Sequence, residues 1–151
     1  MQQTNLNPAL SHLSGLIGEW SMDAWNFEAL DPGVRISAQV SFEWHEGGAF
    51  VIQRWDAPDT GLPSGASIIS CDDTTGKCAM HYFDSRGVSR LYELTFSDGV
   101  LMIWREAPGF WQRFTGRLDE SGNTITGKWE KSTDDGSTWI HDFDLTYSKT
   151  S

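Results

Sequence analysis

The chain has 151 residues, enough for one hydrophobic core and hardly for two, and its 38% hydrophobic content with 15 Gly and 5 Pro excludes disordered and collagen-like classes. Acidic residues outnumber basic ones 21 to 11, a net charge of −10 that argues against nucleic acid or an anionic membrane surface as partner. Eight Trp and eight Phe are an unusual load, and flat side chains in such number either fill a small barrel or line a cavity within one.

Much of the acidic excess falls in apparent turns, at Asp56, Asp59, Asp72, Asp73, Asp98, Asp119, Asp134 and Asp135, and reads as solvated loop tips. No apolar run approaches the ~18 residues of a membrane span. The start MQQTNLNPALSHL lacks the basic residues and apolar core of a signal peptide, so a cytoplasmic location is expected.

In chain order, NPALSHLSG predicts a short helix over Asn7–Ser14. Asn7 caps it, Pro8 suits its first turn, and Gly15 can end it. The helical period then disappears. Nine turn signals follow: DPG, EGG, the long PDTGLPSG, DDTTG, SRG, SDG, APG, DESGN and TDDGS. They imply about ten strands joined as antiparallel hairpins.

Alternation picks out one inner face. Ile36, Ala38, Val40, Phe42 and Trp44 share a parity, as do Ile125, Gly127 and Trp129, and likewise Trp139, His141, Phe143, Leu145 and Tyr147. In EAPGFWQRFTGRL, Phe110, Gln112, Phe114 and Leu118 turn inward, while Trp111, Arg113, Thr115 and Arg117 face out. The expected fold is all-β: one domain over residues 1–151, an up-and-down antiparallel barrel over about 18–148, and the N-terminal helix closing one end.

Cys71 and Cys78 flank the turn DDTTGK and can face each other across a hairpin. In a reducing cytosol they are expected as free thiols that bridge on oxidation. No second Cys pair completes a zinc pattern, so no metal is expected.

Four segments, LIGEW, CDDTTGKCAMHYFDSRGV, PGFWQRFTG and DGSTWIHDFDLTYSK, resemble the DUF1579-like family of small bacterial proteins. Those proteins look like relatives of the calycin barrels, the superfamily of lipocalins and fatty-acid-binding proteins. The resemblance spans Leu13–Lys149 and implies a fold but no established activity. Gly18-Glu19-Trp20 resembles the G-x-W that opens lipocalin barrels, where the Trp packs on the barrel floor. A further cousin, the nitrobindin-like barrels, holds haem through a His near the C-terminus. His141 is the nearest equivalent, but its surroundings do not match, and no haem is expected. STDDGSTW fits the Asp box of sialidase-like propellers, and a single copy is read as a stable turn without chemistry.

Polar groups on the inner face carry whatever chemistry there is, because burying them costs free energy unless they are paired or serve a ligand. Arg90, Gln112 and His141 are expected to project into a common space, with Tyr92, Trp129 and Trp139 as aromatic neighbours. Arg90 needs a carboxylate, carbonyls or an anionic ligand. Arg54 and Arg105 lie near strand ends and read as rim residues. Of His81 and Tyr82, adjacent and of opposite parity, only one can point inward. No G-x-S-x-G, P-loop, H-E-x-x-H or dinucleotide fingerprint is present.

The expected function is binding of a small hydrophobic or amphipathic molecule, with an anionic or carbonyl head group an option. Two alternatives remain: a solid barrel acting through its surface, or a barrel isomerase or cyclase using His141, Tyr82 or Arg90. A second copy of the chain, in a homodimer, is a further partner option.

Overall fold

The structure is a computed structural model that describes residues 7–58 and 60–151. Asp59, expected in a turn, lies outside the described residues. A nine-residue helix of 3₁₀ type spans Pro8–Leu16, and Asn7 caps it by accepting from the Ala9 amide at 3.1 Å. It runs two residues past the expected Ser14 because Leu16, like Leu10 and Leu13, is buried against the barrel.

Ten strands follow: β1 (Gly18–Trp25), β2 (Arg35–His45), β3 (Phe50–Asp56), β4 (Gly65–Cys71), β5 (Cys78–Asp84), β6 (Ser89–Ser97), β7 (Val100–Ala107), β8 (Phe110–Leu118), β9 (Thr124–Ser132) and β10 (Ile140–Lys149). Each pairs antiparallel with the next, and β10 returns to β1, so the sheet closes without an edge. The turn signals fall between the strands. At the β6–β7 hairpin, Asp98 and Gly99 both take positive φ (53° and 74°), the mirror-image turn that a two-residue hairpin favours.

The helix packs over one end, against β4 and β6. Beneath it Trp20 is fully buried and donates from its indole N–H to the Leu16 carbonyl at 2.9 Å. The core continues through Val51, Ile69, Leu94, Phe96, Leu101, Phe114 and Ile125. Gly116 and Gly127 face each other across β8 and β9, and a Cβ on either would meet the Phe114 ring. Their missing side chains make room for that ring.

The period-two reading holds along β2, β8 and β9, and it fails at the start of β10. There the pairing with β9 slips between His141 and Phe143: His141 faces Glu130, whereas Phe143 faces Trp129. Asp142 is the extra residue, and a one-residue bulge reverses the parity of everything before it. The Asp142 carbonyl instead accepts from the Glu28 amide at 2.8 Å, in the loop after β1. Phe143, Leu145 and Tyr147 therefore point inward as expected. His141 does not.

Candidate functional site

At the end opposite the helix the barrel opens into a cavity of about 300 Å³. Small residues on β1 and β2, Ala24 and Ala38, leave the space, and Trp55, Tyr82, Trp129 and Phe143 wall it. Phe27, Leu62, Pro63 and Arg86 lie toward its mouth. Its lining is mainly apolar, with a short polar band: Gln53, Ser67 and Tyr82 are successive cross-strand partners on β3, β4 and β5, and Tyr147 lies near Gln53.

Ser67 is the uncommitted member of that band. It is 0% exposed, and its hydroxyl has no hydrogen-bond partner among the described residues. Such a group forfeits hydration on folding and regains it only through a bound water or ligand. Burial pushes the Tyr147 phenol up to about 12, against the opposing pull of the nearby Gln53 side chain. Burial also pushes Tyr82 up, helped by its bond to Asp84 at 2.6 Å. The Arg86 guanidinium, 2.8 Å from Asp84, holds that carboxyl well below the usual carboxylate range. Both phenols stay neutral at physiological pH, and the Tyr82 hydroxyl is already engaged. Among the described residues no base stands within hydrogen-bond reach of Ser67, so the band they form offers neutral hydrogen bonds rather than an activated nucleophile.

A second polar cluster lies behind this wall. The Gln112 side-chain carbonyl accepts from Arg90 Nη1 at 3.2 Å and from the Tyr92 hydroxyl at 2.9 Å. Arg105 is the cross-strand partner of Gln112, and the Arg90 guanidinium sits 5.6 Å over the Phe110 ring. Ion pairs among the described residues engage Arg86, Arg113 and Lys131 but neither Arg90 nor Arg105. Tyr92 stands edge-on to Tyr82 and Trp129, with ring centroids 6.2 and 5.9 Å away, so these rings separate the cluster from the cavity.

Of the six residues expected to converge, Arg90, Tyr92, Gln112 and Trp129 do so, and Trp129 also walls the cavity. His141 and Trp139 lie elsewhere. The bulge places His141 on the outer surface, where its ring bonds Asp144 at 3.1 Å. Trp139 packs outside against Trp111, and the Arg113 guanidinium lies 3.8 Å over its ring while pairing with Glu130 at 2.9 Å. Tyr82 is the inward member of its pair. His81 faces solvent, stacked on Phe83 and bonded to Ser89 at 3.0 Å. In STDDGSTW, Asp134 accepts from the Thr138 amide at 2.7 Å and from Ser132 at 2.8 Å, bracing the turn.

Ser67 and Gln53 were not singled out from the sequence, although a signal existed. In FVIQRWD, Gln53 shares a parity with Val51 and Trp55. In GASIISC, Ser67 shares one with Ile69 and Cys71. Both are small or neutral polar residues in apolar company, less conspicuous than an arginine or a histidine.

Fold and site together define a closed ten-stranded antiparallel β-barrel with an interior cavity at one end. The fold is similar to that in the crystal structure of Rv2717c from M. tuberculosis, with a TM-score of 0.65 and 17% identity over 97% of this chain and 100% of that one. At that identity the likeness concerns the fold alone. No protein-family model and no curated protein matches the chain. No described helix is long and apolar enough to cross a membrane.

Proposed function

We propose that the barrel binds one small, largely apolar, uncharged molecule carrying a carbonyl or hydroxyl group, with that group at Ser67 and Gln53. The observation that carries the reading is the unpartnered, fully buried Ser67 hydroxyl on the wall of the cavity. At ~30 Å³ of liquid volume per water-sized unit, the space holds about ten non-hydrogen atoms. Its mainly apolar lining with few polar anchors is the usual composition of a ligand site. Kinship with the calycin barrels belongs to the same proposal. A cytosolic location fits it too, the ligand then entering from solution past Phe27 and Leu62.

A second reading rests on Arg90 and Arg105, two inward guanidinium groups outside any ion pair among the described residues. It gives the ligand an anionic head group held by these arginines and Tyr92. Such a head group would have to displace Tyr82 or Trp129 to share a molecule with the cavity, which favours the neutral ligand.

Acetophenone and cumene, matched in shape, separate these readings by isothermal titration. Acetophenone should bind saturably, and Ser67→Ala should weaken it roughly three- to tenfold while leaving cumene unchanged. Equal loss for both probes would sink the role of Ser67. No saturable binding of either would sink the cavity as a ligand site. Tight binding of benzoate that is lost in Arg90→Ala would establish the second reading instead.

A further inference from the structure

At the closed end of the barrel three metal-ligating side chains meet beneath the N-terminal helix. Cys71 and Cys78 are direct cross-strand partners at the base of the β4–β5 hairpin, joined in a disulfide, the bridge expected of them on oxidation. His12 stands above them on the helix, its Nε2 3.9 Å from the Cys78 sulfur. The three ligand atoms all lie within 4.8 Å of one another. The expectation of no metal site rested on the lack of a second Cys pair. The third donor is instead a histidine far away in sequence.

This placement is held rigidly. The helix buries Leu10, Leu13 and Leu16 in the barrel end, and Asn7 donates to the Cys71 carbonyl at 2.8 Å, so His12 is fixed relative to β4. A tetrahedral zinc-class ion with thiolates at ~2.3 Å and an imidazole nitrogen at ~2.0–2.1 Å sets sulfur and nitrogen roughly 3.5 Å apart. The observed separation is close to that value. Separating the two sulfurs requires only side-chain rotation once the bond between them is broken. A surface groove lined by His12, Thr75, Gly76, Lys77 and Cys78 gives an ion access from solvent and leaves room for water as a fourth ligand.

We propose that His12, Cys71 and Cys78 form a redox-gated site for one zinc-class ion, bound in the dithiol form and released when the disulfide forms. Two thiolates and one imidazole are a borderline-soft donor set suited to zinc rather than to magnesium or calcium. Binding to the dithiol releases two protons as the thiols become thiolates. In the reverse direction a two-electron oxidant such as hydrogen peroxide takes two electrons from the thiolate pair. One S–S bond forms, the ion leaves, and the peroxide with two protons becomes two waters. The bound ion ties the helix to the β4–β5 hairpin, so reduction need not loosen the cap. This site lies at the opposite end of the barrel from the cavity and does not depend on it.

Cobalt(II) is the probe, added to the folded protein before and after reduction of the disulfide. The reduced protein should show thiolate-to-cobalt charge transfer and the visible bands of a tetrahedral site at one ion per chain. The oxidised protein should show neither, and peroxide should abolish the signal. His12 is exposed, so His12→Ala should fold normally, with the melting temperature of its oxidised form unchanged, yet bind cobalt about tenfold or more weakly. Absence of charge transfer in the reduced protein would overturn the proposal. So would an unchanged cobalt affinity and spectrum in His12→Ala.

Discussion

The two ends of the barrel are made by the same ten strands and the same two-residue alternation, yet one is filled and the other is hollow. Under the helix, Trp20, Phe96 and three leucines are buried, and deeper in the barrel glycines at 116 and 127 make room for the Phe114 ring. At the far end, Ala24 and Ala38 occupy inward positions that larger residues would fill, and the wall turns partly polar at Gln53, Ser67 and Tyr82. Inward parity determines that a side chain is buried. Side-chain size determines whether a cavity remains, and that balance is struck between residues distant in sequence.

The filled end should be the costlier one to damage. Trp20→Ala removes a fully buried indole together with its bond to Leu16, and a loss of about 3–5 kcal/mol by denaturant unfolding is expected. A loss below ~1 kcal/mol would mean that the closed end repacks and is no more rigid than the open one.

Enlargement tests the contrast through its sign. Ala38→Leu should fill part of the cavity, stabilise the protein by about 1 kcal/mol and weaken acetophenone binding tenfold or more. Val51→Phe at the filled end should instead overpack and destabilise by ~1–3 kcal/mol. Equal destabilisation by both, read from thermal melts, would show the two ends to be equally full.

Most of the fold was legible in the sequence because turns are local signals and the inner parity repeats over ten strands. The site was legible only in part. Arg90, Tyr92 and Gln112 meet because β6 and β8 keep their alternation, and the period alone is enough to aim them. His141 and Trp139 were misplaced because a bulge has no marker in WIHDFDLTY; the partner of its extra residue is the Glu28 amide, more than a hundred residues earlier. The cavity was not readable at all, since volume depends on which residues face each other across the barrel. The His12 pairing with the cysteines depended likewise on where the helix docks.

Acid should affect the open end through Asp84. Its carboxyl is held below the ordinary range chiefly by Arg86, so its contribution to stability is complete above the unfolded carboxyl value of ~3.9 and disappears as pH falls through the lower folded value. The stability difference between the wild type and Asp84→Asn should therefore be constant from neutral pH down to about pH 5 and shrink below ~4. A difference that shrinks between pH 6 and 8 instead would point to a histidine. Tyr82 also loses its acceptor in this variant, so the midpoint pH of the change, rather than its size, is the decisive reading.

The smallest effect is expected at His141, and it marks the boundary between interior and surface. On the outside of β10 the imidazole makes one exposed bond to Asp144, and Asn26 also holds that carboxylate, at 2.8 Å. Its replacement by Ala leaves no cavity and strands no buried charge. A change within about ±0.5 kcal/mol is expected, with acetophenone affinity unaltered. Added haemin should likewise give no sharp Soret band that depends on this residue, because an axial ligand inside the barrel must come from an inward position and the bulge turns His141 away from one. A His141-dependent Soret band, or a loss of stability above ~2 kcal/mol in His141→Ala, would require the strand start to lie in the other register. Trp139 would then also face inward, and the alternation would extend unbroken to the end of β10.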